Sequence, residues 1–154
     1  MINFVVPGEP MAKGRPRMAV VDGHARTYTD AKTDKYENLV TMIAREHAPK
    51  TPIEGPLAVH IMAVFGRPKR LLARSKRTGK LLHATEDAML HAQRPDLDNA
   101  IKAVLDGVNR AGIWRDDAQV STIVAHKRFC SAGGAPGVYV SIMRFDDAGL
   151  LDRP

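Results

Sequence analysis

Apolar residues recur along this chain with two different periods, and the change of period divides it into strands and helices. Ile2, Phe4 and Val6 alternate with Asn3 and Val5, which predicts a first strand stopped by Pro7-Gly8. Pro10, Gly14 and Pro16 argue for a loop that leads into a short strand near residue 21. Asp22-Gly23 is a turn signal, so residues 25–29 return as a hairpin partner. Thr29-Asp30 can cap a helix. Tyr36, Leu39, Val40, Ile43 and His47 then keep helical spacing, predicting a helix over 31–47 ended by Pro49 and Pro52.

Residues 57–65 are apolar at both alternating sets of positions, the pattern of a central strand buried on both faces. Leu97, Ile101, Val104, Leu105 and Val108 form the stripe of a second helix over 97–110, with Gly112 near its C-terminal stop. Residues 120–129 and 138–145 alternate as two further strands, with the Gly- and Pro-rich 131–137 segment joining them as a turn. The order β-(ββ)-α-β-α-β-β predicts an α+β fold: one domain over 1–154 with a mixed or antiparallel sheet and two main helices.

A chain of 154 residues buries a core without disulfides or a structural metal. Its single cysteine, Cys130, allows no internal disulfide and fits a reducing cytoplasm. The apolar runs are too short to span a bilayer, and the N-terminus lacks the basic region and cleavage site of a signal peptide. A cytoplasmic protein with no membrane partner is therefore expected. The formal charge of +6 points to a polyanionic partner, nucleic acid above all. The cations are concentrated. Arg67, Lys69, Arg70, Arg74, Lys76, Arg77 and Lys80 follow one another with no acid between them, and 66–93 reads as an exposed basic insertion. Lys13, Arg15 and Arg17 form a second basic group on a loop stiffened by Gly and Pro.

Against this background Asp96, Asp98, Asp106, Asp116 and Asp117 gather in one helix and the loop after it. Asp98, Lys102, Asp106 and Asn109 lie at i, i+4, i+8 and i+11 and share a face beside the apolar stripe. Asp96 precedes that helix, and Asp116-Asp117 is expected to come back toward it from the following loop. Each residue alone has an ordinary structural reading: Asp96 as a helix cap, Asp98 and Lys102 as an exposed pair, Asp116-Asp117 as a polar turn. Together they are harder to explain that way. Carboxylates brought close repel one another, and a hard cation with oxygen ligands relieves the repulsion. Mg²⁺ is the expected ion, with Mn²⁺ able to substitute. No Cys/His cluster suits zinc, and His60 and His126, within predicted strands, read as structural. Lys102 beside metal-binding carboxylates can contact a scissile phosphate and offset the charge that builds on it.

The run Arg94-Pro95-Asp96-Leu97-Asp98-Asn99, then Lys102, Asp106 and Asn109, then Gly112-Ile113-Trp114 and Asp116-Asp117 before Gln119-Val120, resembles the RusA family of Holliday junction resolvases. These are small endonucleases common in phages and prophages. The segment from Pro7 to Arg17 and the Tyr28 to Glu37 segment also look like phage-type members, and the resemblance covers about residues 2–145. It implies a homodimer that binds a four-way or branched DNA junction and cuts two strands symmetrically. It places the essential carboxylates on Asp96, Asp98 and Asp117 and the essential lysine on Lys102, with Asp116 as a further metal ligand or outer-sphere support. Asn99 and Asp106 would support the site from beside it. Lys13, Arg15, Arg17, Arg67, Lys69, Arg70, Arg74, Lys76 and Arg77 would contact backbone phosphates, which carry affinity rather than sequence information. No small-molecule cofactor is expected. Other readings stay open: a nuclease for forks, flaps or RNA with the same metal site, a non-catalytic junction-binding protein, and a metal-stabilised structural protein.

Overall fold

Alternation at the N-terminus produces strand β1 (Ile2–Pro7), which buries Phe4 and Val6 and exposes Val5. The computed structural model describes residues 1–14, 17–21, 24–28, 30–82 and 89–145. A hairpin follows, β2 (Arg17–Val21) antiparallel to β3 (His24–Tyr28), as a separate two-stranded sheet. Asp30 then caps helix α1 (Ala31–Glu46) by accepting the Lys32 N–H. Strand β4 (Leu57–Phe65) is followed by a short 3₁₀ turn over Lys69–Leu72 and a two-residue strand β5 (Met89–Leu90). Helix α2 (Leu97–Ala111) ends at Gly112, whose φ of 75° is the left-handed cap conformation that glycine adopts without strain. Strands β6 (Val120–Phe129) and β7 (Gly137–Arg144) complete the chain.

The five-stranded sheet has the order β1-β7-β4-β6-β5. Strand β4 is central, parallel to β6 and antiparallel to β7. That placement agrees with its apolar character on both faces, and the α+β architecture agrees with the element order expected from the pattern. Leu57, Val59, Ile61, Ala63 and Phe65 of β4 join Val138, Val140 and Ile142 of β7 in one core with Val40 and Ala44 of α1 and Ala103, Val104 and Val108 of α2. Both helices therefore cover the same face of the sheet. They meet closely at Gly107, where an added Cβ would stand 2.6 Å from the Val40 Cβ and 2.9 Å from the Glu37 carbonyl oxygen. Thr41 bridges the same point, its hydroxyl donating to the carbonyls of Glu37 and Gly107.

Two expectations change. Strands β6 and β7 follow each other in sequence, yet β4 lies between them, so the 131–137 segment crosses over β4. The 66–93 stretch is also more integrated than an exposed insertion. Leu71 and Met89 pack on the core, Arg74 bridges to Leu81, and β5 pairs with the end of β6. Residues 83–88 of that stretch lie outside the described residues. No helix among the described residues is long and apolar enough to cross a membrane.

Candidate active site

The start of α2 is set by the chain in front of it. Lys127, on the helix-facing side of β6, donates from its ammonium to the carbonyls of Gln93 and Pro95. One residue pair earlier, the His91 N–H donates to the Lys127 carbonyl at 3.1 Å. The His91 ring is buried, stacked on Phe65 and edge-on to Phe129. Burial, with Lys127 adding repulsion, holds that imidazole below its ordinary value. Residues 91–95 are thus fastened to the end of β6 just before Asp96. On the other side the Lys13 N–H donates to the Asn99 carbonyl at 2.9 Å, tying the N-terminal loop to the first turn. Ala12, Arg94, Pro95, Asp96 and Asn99 line an open groove of about 460 Å³ there.

Asp96 occupies the N-cap position, but its side chain makes no cap hydrogen bond. The plain capping reading therefore fails for this residue, while Asp30 and Asp116 do cap their helices. Asp98 and Lys102 are both exposed, and among the described residues neither has an ion-pair partner within 4.0 Å. Among the described residues these three charged groups thus stand in the first turns of one helix without partners, where the helix dipole favours negative charge.

The second half of α2 is built differently. Asp106 forms an ion pair with Lys13. That contact holds the Lys13 ammonium above its ordinary value. Glu37 of α1, fully buried, lies 2.7 Å from Arg110 and 3.7 Å from Lys13, and Arg110 also reaches Asp34 at 3.6 Å. Asn109 accepts from the indole N–H of the buried Trp114 at 2.9 Å, which fixes the chain as it leaves the helix. Lys13, expected to face phosphate, is engaged inside the protein, as is Asp106.

Asp116 and Asp117 stand at the opposite end of α2 from Asp96. The expectation that the loop returns them to the cluster is corrected by sheet register. Val120 starts β6 beside Leu57, whereas Lys127, beside Pro95, pairs with Ala63. From Val120 to Lys127 a strand rises about 23 Å at about 3.3 Å per residue. Among the described residues no group of three or more His, Cys, Asp or Glu side chains is placed to hold one ion. Asp116 caps the short 3₁₀ turn of Asp117–Gln119 by accepting the Ala118 N–H at 2.8 Å, whereas Asp117 is exposed and has no such bond. Gln119 anchors the loop: its side chain accepts from the N–H groups of Arg115 and Asp116 and donates to the carbonyls of Ile53 and Gly55.

The basic residues divide as well. Arg67 is 8 % exposed and its Nε donates to the Cys130 carbonyl at 2.6 Å, so its expected role on a DNA-facing arm is revised to a structural one. Arg74 donates to the Gly79 carbonyl within its own turn. Lys69, Arg70, Lys76 and Arg77 are all exposed on the surface. Arg15 lies outside the described residues, and Arg17 begins β2 with its side chain outside them.

Gln119, Lys127 and His91 were not singled out as functional by residue type. Only the motif position of Gln119 marked it, and only folding brings Lys127 under Pro95.

Two comparisons bear on this arrangement. A protein of Bacillus subtilis (strain 168), described as uncharacterized protein YqaN, is 32% identical over 126 residues, covering 82% of this chain and 86% of its own. Residues 7–143, which hold both helices, the groove and the Asp116-Asp117 loop, match the family described as endodeoxyribonuclease RusA. With the acidic start of α2, Lys102 and the Trp114 to Gln119 loop all inside that match, the chain belongs to the RusA endodeoxyribonuclease family.

Proposed function

We propose that this protein is a Mg²⁺-dependent, structure-selective endodeoxyribonuclease that resolves four-way DNA junctions by paired nicks as a homodimer. Family membership supplies the reaction class. The observation that carries the rest is that, among the described residues, Asp96, Asp98 and Lys102 have no partners at the start of an otherwise well-paired helix. Exposed carboxylate oxygens without internal hydrogen bonds suit a hard cation that keeps part of its water shell. When bound, Mg²⁺ polarises the scissile phosphate and acidifies an attacking water. Asp96 and Asp98 hold that ion. Lys102, one turn further on, sets its ammonium against the phosphoryl oxygens as negative charge builds. Arg94 and Asn99, on the groove, bind the flanking phosphates. Lys69, Arg70, Lys76 and Arg77 grip the junction arms, with Arg15 and Arg17 as further contacts.

Asp117 enters from a second copy. Within one chain it lies at the wrong end of α2, and β6 offers a route by which a partner supplies it. Among the described residues β5 pairs with the end of β6, at Arg128 and Phe129, and Ile123 and Val124 nearer the start of β6 are 44% and 52% exposed. Antiparallel pairing of two β6 edges covers these apolar residues. It also carries each Asp117 toward the other copy's Asp96 and Asp98. Asp116 then serves as the cap that aims Asp117. Two such sites suit a near-two-fold junction.

The test uses a mobile four-way junction with each strand end-labelled in turn, in Mg²⁺ or EDTA, with Asp98→Asn alongside. Paired, symmetric, Mg²⁺-dependent nicks that vanish in the variant while binding survives support the proposal. Equal binding by both proteins with no nicks overturns it, and preferential cutting of forks or flaps overturns the junction assignment.

A further inference from the structure

Two histidines meet on the face of the sheet away from the helices. His60 of β4 and His126 of β6 lie on neighbouring parallel strands, on the positions opposite the core set. Their Nε2 atoms are 3.1 Å apart. We infer that His60 and His126 form a binding site for a late first-row divalent cation, Cu²⁺ above Ni²⁺ and Zn²⁺, separate from the carboxylates at α2.

Geometry is the first argument. Two imidazole nitrogens each about 2.0–2.1 Å from one ion stand about 3.1 Å apart when the angle at the ion is about 98°, between the square-planar and tetrahedral values. The ring centroids are 4.9 Å apart and the planes inclined by 69°. That centroid separation is shorter than the nitrogen gap plus the two ring radii. The rings are therefore angled, and without an ion the two Nε2 atoms share one hydrogen bond, which a cation between them would replace.

Donor chemistry is the second argument. Met62, paired in register with His126, lies on the same face and adds a thioether. Imidazole and thioether suit copper and its neighbours and not Mg²⁺. Val5, Val124 and Tyr139 on this face are 46%, 52% and 43% exposed, so solvent reaches it and water can fill the remaining coordination positions. Arg128 shares the face two residues along β6. A bound ion joins β4 to β6 and stabilises the native sheet by mass action.

The experiment uses the full chain without a histidine tag, titrated with Cu²⁺ and followed by electron paramagnetic resonance and thermal unfolding. One Cu²⁺ per chain is expected, with nitrogen splitting from two imidazoles and a raised Tm. His60→Gln and His126→Gln should each weaken binding at least tenfold, while His47→Gln, on the exposed end of α1, should leave it unchanged. Absence of the two-nitrogen signature in the unaltered protein overturns the inference, as does full binding in both His60→Gln and His126→Gln. Neither readout depends on nuclease activity.

Discussion

The two ends of α2 carry similar numbers of charged residues and treat them in opposite ways. In its second half, Asp106 and Arg110 are tied to Lys13, Glu37 and Asp34, and Asn109 holds Trp114. At its start, Asp96, Asp98 and Lys102 have no such partners among the described residues. The first arrangement stabilises, because a buried charge left alone is costly. The second is left open to an outside ligand. One helix thus separates the two tasks, and substitutions should separate them too.

Asp98→Asn should give the largest effect, lowering junction cleavage by about 10³-fold or more while stability changes by less than about 0.5 kcal/mol. Cleavage assays beside urea unfolding check both halves, and a marked loss of stability would place Asp98 in the structural set. Lys127→Met should lower cleavage by about 10- to 100-fold by releasing the Gln93 and Pro95 carbonyls before Asp96. Lys127→Arg should recover part of it, and an unchanged kcat in Lys127→Met would remove Lys127 from the account.

At the other end, Arg110→Ala leaves the buried Glu37 with only the more distant Lys13 among the described residues. Because Arg110 is itself 45% exposed, the expected cost is about 2 kcal/mol rather than the full buried-pair value. Cleavage per folded molecule should hold. Gly107→Ala should cost about 1–3 kcal/mol through the contact with Val40, read from the unfolding midpoint.

The smallest effect is on pH dependence. The folded protein resists protonating His91, whereas the unfolded chain takes up that proton near 6.5. The His91 contribution is therefore present above pH 6.5 and lost as pH falls below it. Lys13 has the opposite sign: its raised value gives a contribution present below 10.5 and lost as pH rises past it. Urea midpoints at pH 7.5 and 5.5 should differ less in His91→Gln than in the parent chain.

Much of this was legible in the residues. Helical spacing located α1 and α2 to within a residue or so, and continuous apolarity placed β4 at the centre. The clustering of Asp96, Asp98 and Lys102 needed only the period of a helix. What stayed hidden depends on contacts between distant segments. Strand β5 is two residues long and has no period to read. The insertion of β4 between β6 and β7 is a choice of pairing, and that choice sends Asp117 to the far end of α2. Lys13 and Arg67 looked like other loop cations until folding supplied Asp106 and the Cys130 carbonyl. His60 and His126 are 66 positions apart and meet only through parallel register.

The measurement that tests the central claim most directly mixes two inactive chains, Asp98→Asn and Asp117→Asn, under conditions that let subunits exchange. If each site joins Asp98 of one copy to Asp117 of another, the mixed dimer holds one site with both carboxylates intact. Mixing should then restore Mg²⁺-dependent nicking of one junction strand per dimer. If exchanged, folded dimers remain inactive while the parent chain cuts, the shared site is contradicted.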